Sequence, residues 1–457
     1  MDDTGRIDAV MPDGLVLRRA TKETLRTALS PLLTAFADSW SDQEWTDRGD
    51  AYDPVRVVTA WEGDEPVACA GAEGFRLTVP GGEVAAGGLT LVGVKPTHRR
   101  RGILRALMRQ QLDEYRARGE IVSVLWASEG AIYQRFGYGL ATLSAAFEID
   151  RSRASFLRPS DPIGRMRIVD VDEASRLFPG VYEHVRTRVP GSLTRDETTW
   201  RLGLLFDAPY LAGEQGPKFL AVHETDGAPD GYVIYRVKAS WDGRGPKSEV
   251  TVREVAGATP EVELEVWRWV LDLDLVARVS GDKLPPFPPL LLALAEPRRL
   301  GVTLGDGLWL RLLDLPAALE ARRYAASGVL TLRVADDFCP WNRGTWRIET
   351  GEPGAGPVPA GARRSARVTF VADLEGDLVG DGRDAGAAAG RDAGPAARPD
   401  EADIDLDVAD LGAAYLGGVR FADLRAAGRV REVRPGSVEL ADAMFLPDRT
   451  PACSTMF

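Results

Sequence analysis

Along the first third of the chain the apolar positions change period in an orderly way. Residues 21–40 carry them at helical spacing. Residues 55–61 and 67–72 form apolar runs on either side of Gly63-Asp64-Glu65-Pro66, which reads as a hairpin. A further strand over 75–79 turns at Pro80-Gly81-Gly82 into another over 89–94. The period then lengthens to that of a helix from 102 to 118. A buried strand over 121–127, a short helix near 131–136 and a closing strand near 142–149 follow. This order of helix, antiparallel meander, helix, strand, helix, strand is that of an α+β module.

The middle third repeats part of that order. Strands over 231–237 and 249–256, an amphipathic helix over 261–271 and a strand over 275–279 give strand, strand, helix, strand again. Where the first module has His98-Arg99-Arg100-Arg101-Gly102 before its helix, the second has Gly257-Ala258-Thr259-Pro260-Glu261. That stretch holds no cation and has the Pro-Glu start of an ordinary helix. The second module therefore reads as a degenerate, non-catalytic copy. The pattern changes again near Gly305-Asp306-Gly307-Leu308-Trp309-Leu310-Arg311, with a helix over 315–322 and strands over 328–334 and 345–350. Residues 376–403 are almost wholly Gly, Ala, Asp and Arg, too poor in apolar side chains to order themselves, and read as a surface loop. A strand over 404–408, a helix over 409–416, the Gly417-Gly418 break and a helix near 421–427 resume the fold.

A chain of 457 residues exceeds one ordinary core, so roughly two to four domains are expected. No apolar run approaches the roughly 20 residues needed to cross a bilayer. The acidic start, MDDTGRIDAVMPDG, lacks the basic and apolar segments of a secretory signal, which makes the cytoplasm the expected compartment. A net charge of -12 disfavours a nucleic-acid partner and would favour cationic ligands where it lines a cleft, although solubility accounts for such a charge equally well. Cys69, Cys339 and Cys453 are widely spaced and read as buried thiols rather than disulfide or zinc ligands. His98, His184 and His223 are scattered, so neither a metal cluster nor a histidine-centred triad is expected.

The basic loop carries the first chemistry. His98-Arg99-Arg100-Arg101-Gly102-Ile103-Leu104-Arg105 leads from a strand into a helix N-terminus, where unpaired N–H groups and the helix dipole favour anions. Gly102 allows close approach of a phosphate to the main chain, and the arginines suit a pyrophosphate and a 3'-phosphate. A solvated basic turn has the same composition. The loop, however, follows directly on the strand Leu91-Val92-Gly93-Val94 and the turn Lys95-Pro96-Thr97, and in that setting it resembles motif A of the GNAT superfamily of N-acetyltransferases.

The stretch Leu125-Trp126-Ala127-Ser128-Glu129-Gly130-Ala131-Ile132-Tyr133-Gln134-Arg135-Phe136-Gly137-Tyr138-Gly139 resembles the signature of the Eis (enhanced intracellular survival) family within that superfamily. Residues 307–324 and 410–430 resemble that family's C-terminal region, which is similar to sterol carrier protein. The resemblance implies a catalytic GNAT domain over 1–150, a degenerate GNAT domain over 151–302 and a sterol-carrier-protein-like α/β domain over 303–457. The 376–403 insertion departs from the family pattern and lies away from its motifs.

The resemblance also implies roles. Acetyl-CoA is the acyl donor, with no metal. Val92, Gly93 and Val94 hold its pantetheine along the strand, the Val92 N–H polarising the thioester. Arg99, Arg100, Arg101, Gly102, Ile103, Leu104 and Arg105 hold its phosphates, and Ser128 and Glu129 assist. Tyr133 protonates the departing thiolate, as a phenol of pKa about 10 is able to do. Packing aromatics with satisfied hydroxyls are the other reading of Tyr133 and Tyr138, and it suits Tyr138 better. The carboxylate of the last residue, Phe457, acts as general base; an ordinary α-carboxyl of pKa about 3.5 needs desolvation or a water relay for that task.

Phe36 and Asp38 fall where the family has an aromatic and an aspartate in its amine pocket, with Trp40 or Trp45 as further wall, a combination that suits an ammonium. Equally, Phe36 reads as core and Asp38 as a helix C-terminal residue. Trp126 and Leu91 replace a histidine and an aromatic of the family, which bears on substrate preference. The implied substrates are aminoglycosides, other polyamines or protein lysines, and the implied assembly is a homohexamer. The reading from another class is a non-catalytic protein that binds acyl-CoA or lipid.

Overall fold

The computed structural model describes residues 6–7, 9, 11–351, 363–373 and 402–457. Three main sheets organise the described residues. The first has eight strands in the order Arg6–Ile7, Val16–Arg19, Val58–Glu62, Glu65–Val79, Gly82–Val94, Val122–Trp126, Leu308–Leu312, Gly139–Leu140. Its meander is antiparallel until Gly82–Val94, which runs parallel to Val122–Trp126 after the crossover helix Ile103–Ala117. That helix buries Ile103, Leu107, Met108, Leu112 and Tyr115 on one face, the period expected of it. The second sheet repeats the arrangement: Ser248–Gly257 runs parallel to Val276–Leu284 across the helix Pro260–Leu271, whose N-cap Thr259 accepts from the Val262 N–H. The third sheet has five strands and carries the helices of the C-terminal region on it.

Strand pairing crosses the boundaries read at 150 and 302. The strand expected to close the first module, Leu143–Asp150, pairs instead in the second sheet, through Arg278↔Asp150 and Thr303↔Ala146. Packing explains this: Phe147 meets Trp267 of the second core edge-on at 5.4 Å. Its place in the first sheet is taken by Leu308–Leu312, buried at all five positions and antiparallel to Val122–Trp126. Arg311 of that strand forms a fully buried pair with Asp336, 2.7 Å, which ties the first sheet to the C-terminal region. The largest apolar cluster runs through the same junction, from Val122 and Val124 by way of Leu310 to Leu332 and Tyr415.

The two strands expected at 67–72 and 75–79 are one continuous strand, because Glu73 and Gly74 between them pair with Gly88 and Gly87 without interruption. The second module has a helix that the sequence reading did not place, Val171–Arg186, capped by Asp170. Of the 376–403 segment only Ala402 and Asp403 are among the described residues. Both are buried, Asp403 accepting from the Thr331 N–H at 2.8 Å. The three cysteines are free and buried. Among the described residues no helix is long and apolar enough to cross a membrane, and no cluster of metal-ligating side chains is present.

Candidate active site

The strand Gly82–Val94 is paired unequally on its two sides. It stays with Glu65–Val79 as far as Ala68↔Val94, with one register shift near Gly71. It stays with Val122–Trp126 only as far as Gly88↔Val124. Beyond Gly88 these two strands part, and Leu91, at φ 54°, marks the irregularity. The Lys95 N–H donates to the Val67 carbonyl at 2.9 Å. Alternate residues of an antiparallel strand address the same neighbour, so Val92 and Val94 turn their backbone groups to the open side. An extended amide chain such as pantetheine fits that edge as an added strand. Gly93 does something else: a Cβ there would lie 2.5 Å from the Leu32 Cα, so its glycine admits the helix Ser30–Phe36 against the sheet.

The basic loop ends at Gly102, an N-cap in the left-handed region at φ 80° with no side-chain cap on the helix Ile103–Ala117. A Cβ on Gly102 would meet nothing within 4 Å, so the first turn, Ile103 to Arg105, is open to an anion. The loop's cations divide. Arg99 and Arg100 are exposed, Arg100 at φ 63°. Arg101 is engaged by Asp13 at 2.6 Å and Glu62 at 3.4 Å, and Arg105 lies over the Phe338 ring at 5.1 Å. The open edge and the open helix start together fit an acyl-CoA, with Arg99 and Arg100 as its exposed cations.

Tyr133 ends the helix Gly130–Tyr133 and is 6% exposed. Burial, with Glu129 adding repulsion, pushes its phenol up to about 12. Tyr138 stands edge-on to it at 6.1 Å, but its hydroxyl is bonded to Ser123 at 2.7 Å and fully buried, as a packing tyrosine's would be. Ser128 and Glu129 are exposed on the loop before the helix.

The C-terminal tail is held at several points. The Thr455 carbonyl accepts from the Trp126 indole N–H at 2.9 Å, so the tryptophan that departs from the family pattern anchors the tail. The Thr455 hydroxyl bonds Tyr182 at 2.8 Å and accepts from Arg195 at 2.9 Å; Arg195 also donates to Ser454 at 3.1 Å. Burial works against the Arg195 charge, and Glu254, bonded at both oxygens, more than restores it. Phe457 then packs its ring on Phe75 at 4.9 Å, and a Cβ on Gly88 would lie 2.9 Å from that ring. The last residue thus rests where the first sheet begins to part.

Of the acceptor residues read from sequence, Trp40 and Trp45 are in ring contact, while Phe36 and Asp38 are exposed. Phe36 is 56% exposed at the end of its helix and is not core. Asp38 follows the left-handed Ala37 and accepts from the Ser39 N–H at 2.8 Å. Trp40 stacks with Tyr52 at 5.8 Å and meets Trp45 at 5.5 Å. Trp45 and Tyr52 line a cavity of about 580 Å³ that also carries Asp50, Asp53 and Asp196; Phe36, Asp38 and Trp40 do not line it.

One residue was missed by the sequence reading. Glu73 lies directly across the ladder from Gly88 and shares a strand face with Phe75, the face on which Phe457 rests. Burial first, then Asp196, push its carboxyl up to about 7, with Arg56 opposing. A half-buried carboxyl that ionises near neutral pH is able to accept a proton or hold an ammonium. Its signal in the sequence is a lone acid in the apolar run 67–75.

Comparison with known proteins identifies the family. Residues 16–141 and 191–312 each match an acetyltransferase (GNAT) domain family, and 315–454 match a sterol carrier protein domain. An uncharacterized N-acetyltransferase of Streptomyces avermitilis is 38% identical over 401 residues, covering 85% of this chain and 86% of its own. The N-acetyltransferase Eis of Mycobacterium tuberculosis is 34% identical over 399 residues, 85% of each chain. The crystal structure of Eis1 from Mycobacterium abscessus superposes with a TM-score of 0.75 at 30% identity, covering 96% of this chain and 100% of that one. The chain belongs to the Eis family of GNAT N-acetyltransferases, with two GNAT domains followed by a sterol-carrier-protein-like domain.

Proposed function

We propose that this N-acetyltransferase moves an acetyl group from acetyl-CoA directly to a primary amine within a ternary complex. The observation that carries the reading is the seating of Phe457 against Phe75 and Gly88, at the point where the first sheet parts. The open edge of residues 89–94 and the uncapped start of the helix at Ile103 hold the donor. The Val92 N–H polarises the thioester carbonyl while it is most negative, in the transition state. The Phe457 carboxylate helps deprotonate the bound ammonium, and the amine attacks at close range. Tyr133 gives its proton to the departing thiolate. Its phenol at about 12 is a reluctant acid in water, but the burial that lifts it also raises the basicity of a thiolate released beside it.

The amine classes that go with this family reading are aminoglycosides, other polyamines and protein lysines. The reading extends to a cytoplasmic homohexamer, which light scattering behind size exclusion tests. Release of CoA thiol from acetyl-CoA, measured over a panel of these amines with wild type, Tyr133→Phe and a chain ending at Met456, tests the chemistry. Turnover strongly reduced in both variants is expected. Turnover untouched by either change overturns the assigned acid and base, and no turnover with any amine favours an acyl-CoA-binding protein.

A further inference from the structure

Beside the tail the local charge opposes that of the chain as a whole. A cavity of about 330 Å³ opens next to Ser454, Thr455 and Met456. Its wall carries Arg48, Arg195, Lys218, Arg236, Arg253 and Lys283 against a single carboxylate, Glu254. In a protein of net charge -12, such a gathering of cations is a property of the place and not of the composition.

The partners on hand do not neutralise it. Glu254 is taken up by Arg195 and by the Tyr232 hydroxyl. Asp207 pairs with Arg236, and Asp282 with Lys283 at 3.3 Å. Arg48, Lys218 and Arg253 form no ion pair among the described residues. Lys218 donates to the carbonyls of Leu204, 2.5 Å, and Phe206, 2.7 Å; Arg253 reaches the neutral Gln215; and the Arg48 Nε is buried without a hydrogen-bond partner. The Lys218 ammonium registers the surplus: burial, then repulsion from Arg236, pull it down to about 8 against the help of Asp207, with Arg253 and Arg48 adding to the repulsion. A half-enclosed wall of one sign concentrates the opposite charge.

The position matters as much as the sign. Met456 lines this cavity and Phe457 is the next residue, so the cavity opens beside the end of the chain. We propose that the cavity binds an anionic group, carboxylate or phosphate, of the acceptor, so that among the amines this site takes, zwitterionic ones are favoured. This rests on the reading of the tail as the acceptor site.

Two matched pairs of primary amines test it: 4-aminobutyrate against 4-aminobutyramide, and phosphoethanolamine against ethanolamine. Thiol release is followed for wild type, Arg253→Gln and Arg48→Gln, with melting curves to confirm folding. Wild type is expected to favour the anionic member of each pair by about tenfold or more in kcat/KM, and this ratio falls toward one in the variants, the scale of one charge-assisted contact. A wild-type ratio near one overturns the proposal. So does an equal loss on both members of a pair, which would mean that the cations serve only to hold the tail. If no amine of any class is turned over, the acetyl-transfer reading fails by itself. Calorimetric binding of phosphoethanolamine then judges the cavity: binding lost in Arg253→Gln supports the proposal, and no binding to wild type defeats it.

Discussion

The ring of Phe457 meets that of Phe75 at 4.9 Å, inclined by 58°, and Gly88 leaves room for both. A Cβ at Gly88 would lie 2.4 Å from the Phe75 ring and 2.9 Å from the Phe457 ring. Gly88→Ala is therefore an overpacking change of about 1–3 kcal/mol, and the tail, the less embedded of the two partners, gives way first. The expected outcome is a kcat/KM lowered by about tenfold or more with a modest fall in Tm. A fall in Tm without loss of activity would separate the tail from the reacting centre.

Tyr133 and Tyr138 make a pair of opposite predictions. A general acid contributes about 10²–10⁴ in rate, so Tyr133→Phe is expected to lower kcat on that scale with little effect on KM for the amine. Tyr138→Phe removes a buried hydrogen bond to Ser123, which costs about 1 kcal/mol of stability and leaves kcat near its original value. Steady-state kinetics and melting curves on the two variants check both. Similar kinetics for the two would return Tyr133 to a packing role.

The short helix that carries Tyr133 after a buried strand was legible before the fold, and so was the packing of Tyr138. The crossover helices of both GNAT domains were legible too, since their apolar faces follow one period. The exchange of strands between the sheets was not. Leu308–Leu312 is apolar almost throughout and fits any interior position, and only its tertiary neighbours decide which sheet it enters. The cationic cavity was hidden for a similar reason. Its residues come from points as far apart as Arg48 and Lys283, and no local pattern joins them. Glu73 falls in the gap between the strands expected at 67–72 and 75–79, yet the ladder to Gly87 and Gly88 runs through.

Glu73 carries a pH prediction. Its carboxyl ionises near 4.5 when unperturbed and at about 7 in the folded chain, lifted mainly by burial. Between these values the native protein keeps a proton that the unfolded chain has lost, so stability falls as pH rises through the window. Glu73→Gln removes the penalty and is expected to be more stable than wild type by up to about 3 kcal/mol above pH 7, with no such pH-dependent gain at pH 4. Denaturant titrations at the two pH values check the difference. An acceptor ammonium seated beside Phe457 on this strand face meets a carboxylate above pH 7 and a neutral acid below it, so the wild-type KM for such an amine falls across that range and the variant's stays flat.

Arg195 joins stability to the placement of the tail. It is bonded to Glu254, to Thr455 and to Ser454, lies over the Tyr182 ring at 3.7 Å, and its side chain is wholly buried. Arg195→Met leaves Glu254 buried without its cation, which costs about 3–5 kcal/mol, and releases the tail. The double variant Arg195→Met/Glu254→Met removes both charges, and since a buried ion pair is often no better than apolar packing, most of the lost stability is expected to return. The tail's hydrogen bonds do not return with it. Thermal unfolding should therefore recover in the double variant while kcat/KM stays low. Recovery of both would mean that Arg195 acts on activity only through the fold, with Trp126 and Tyr182 holding the tail without it.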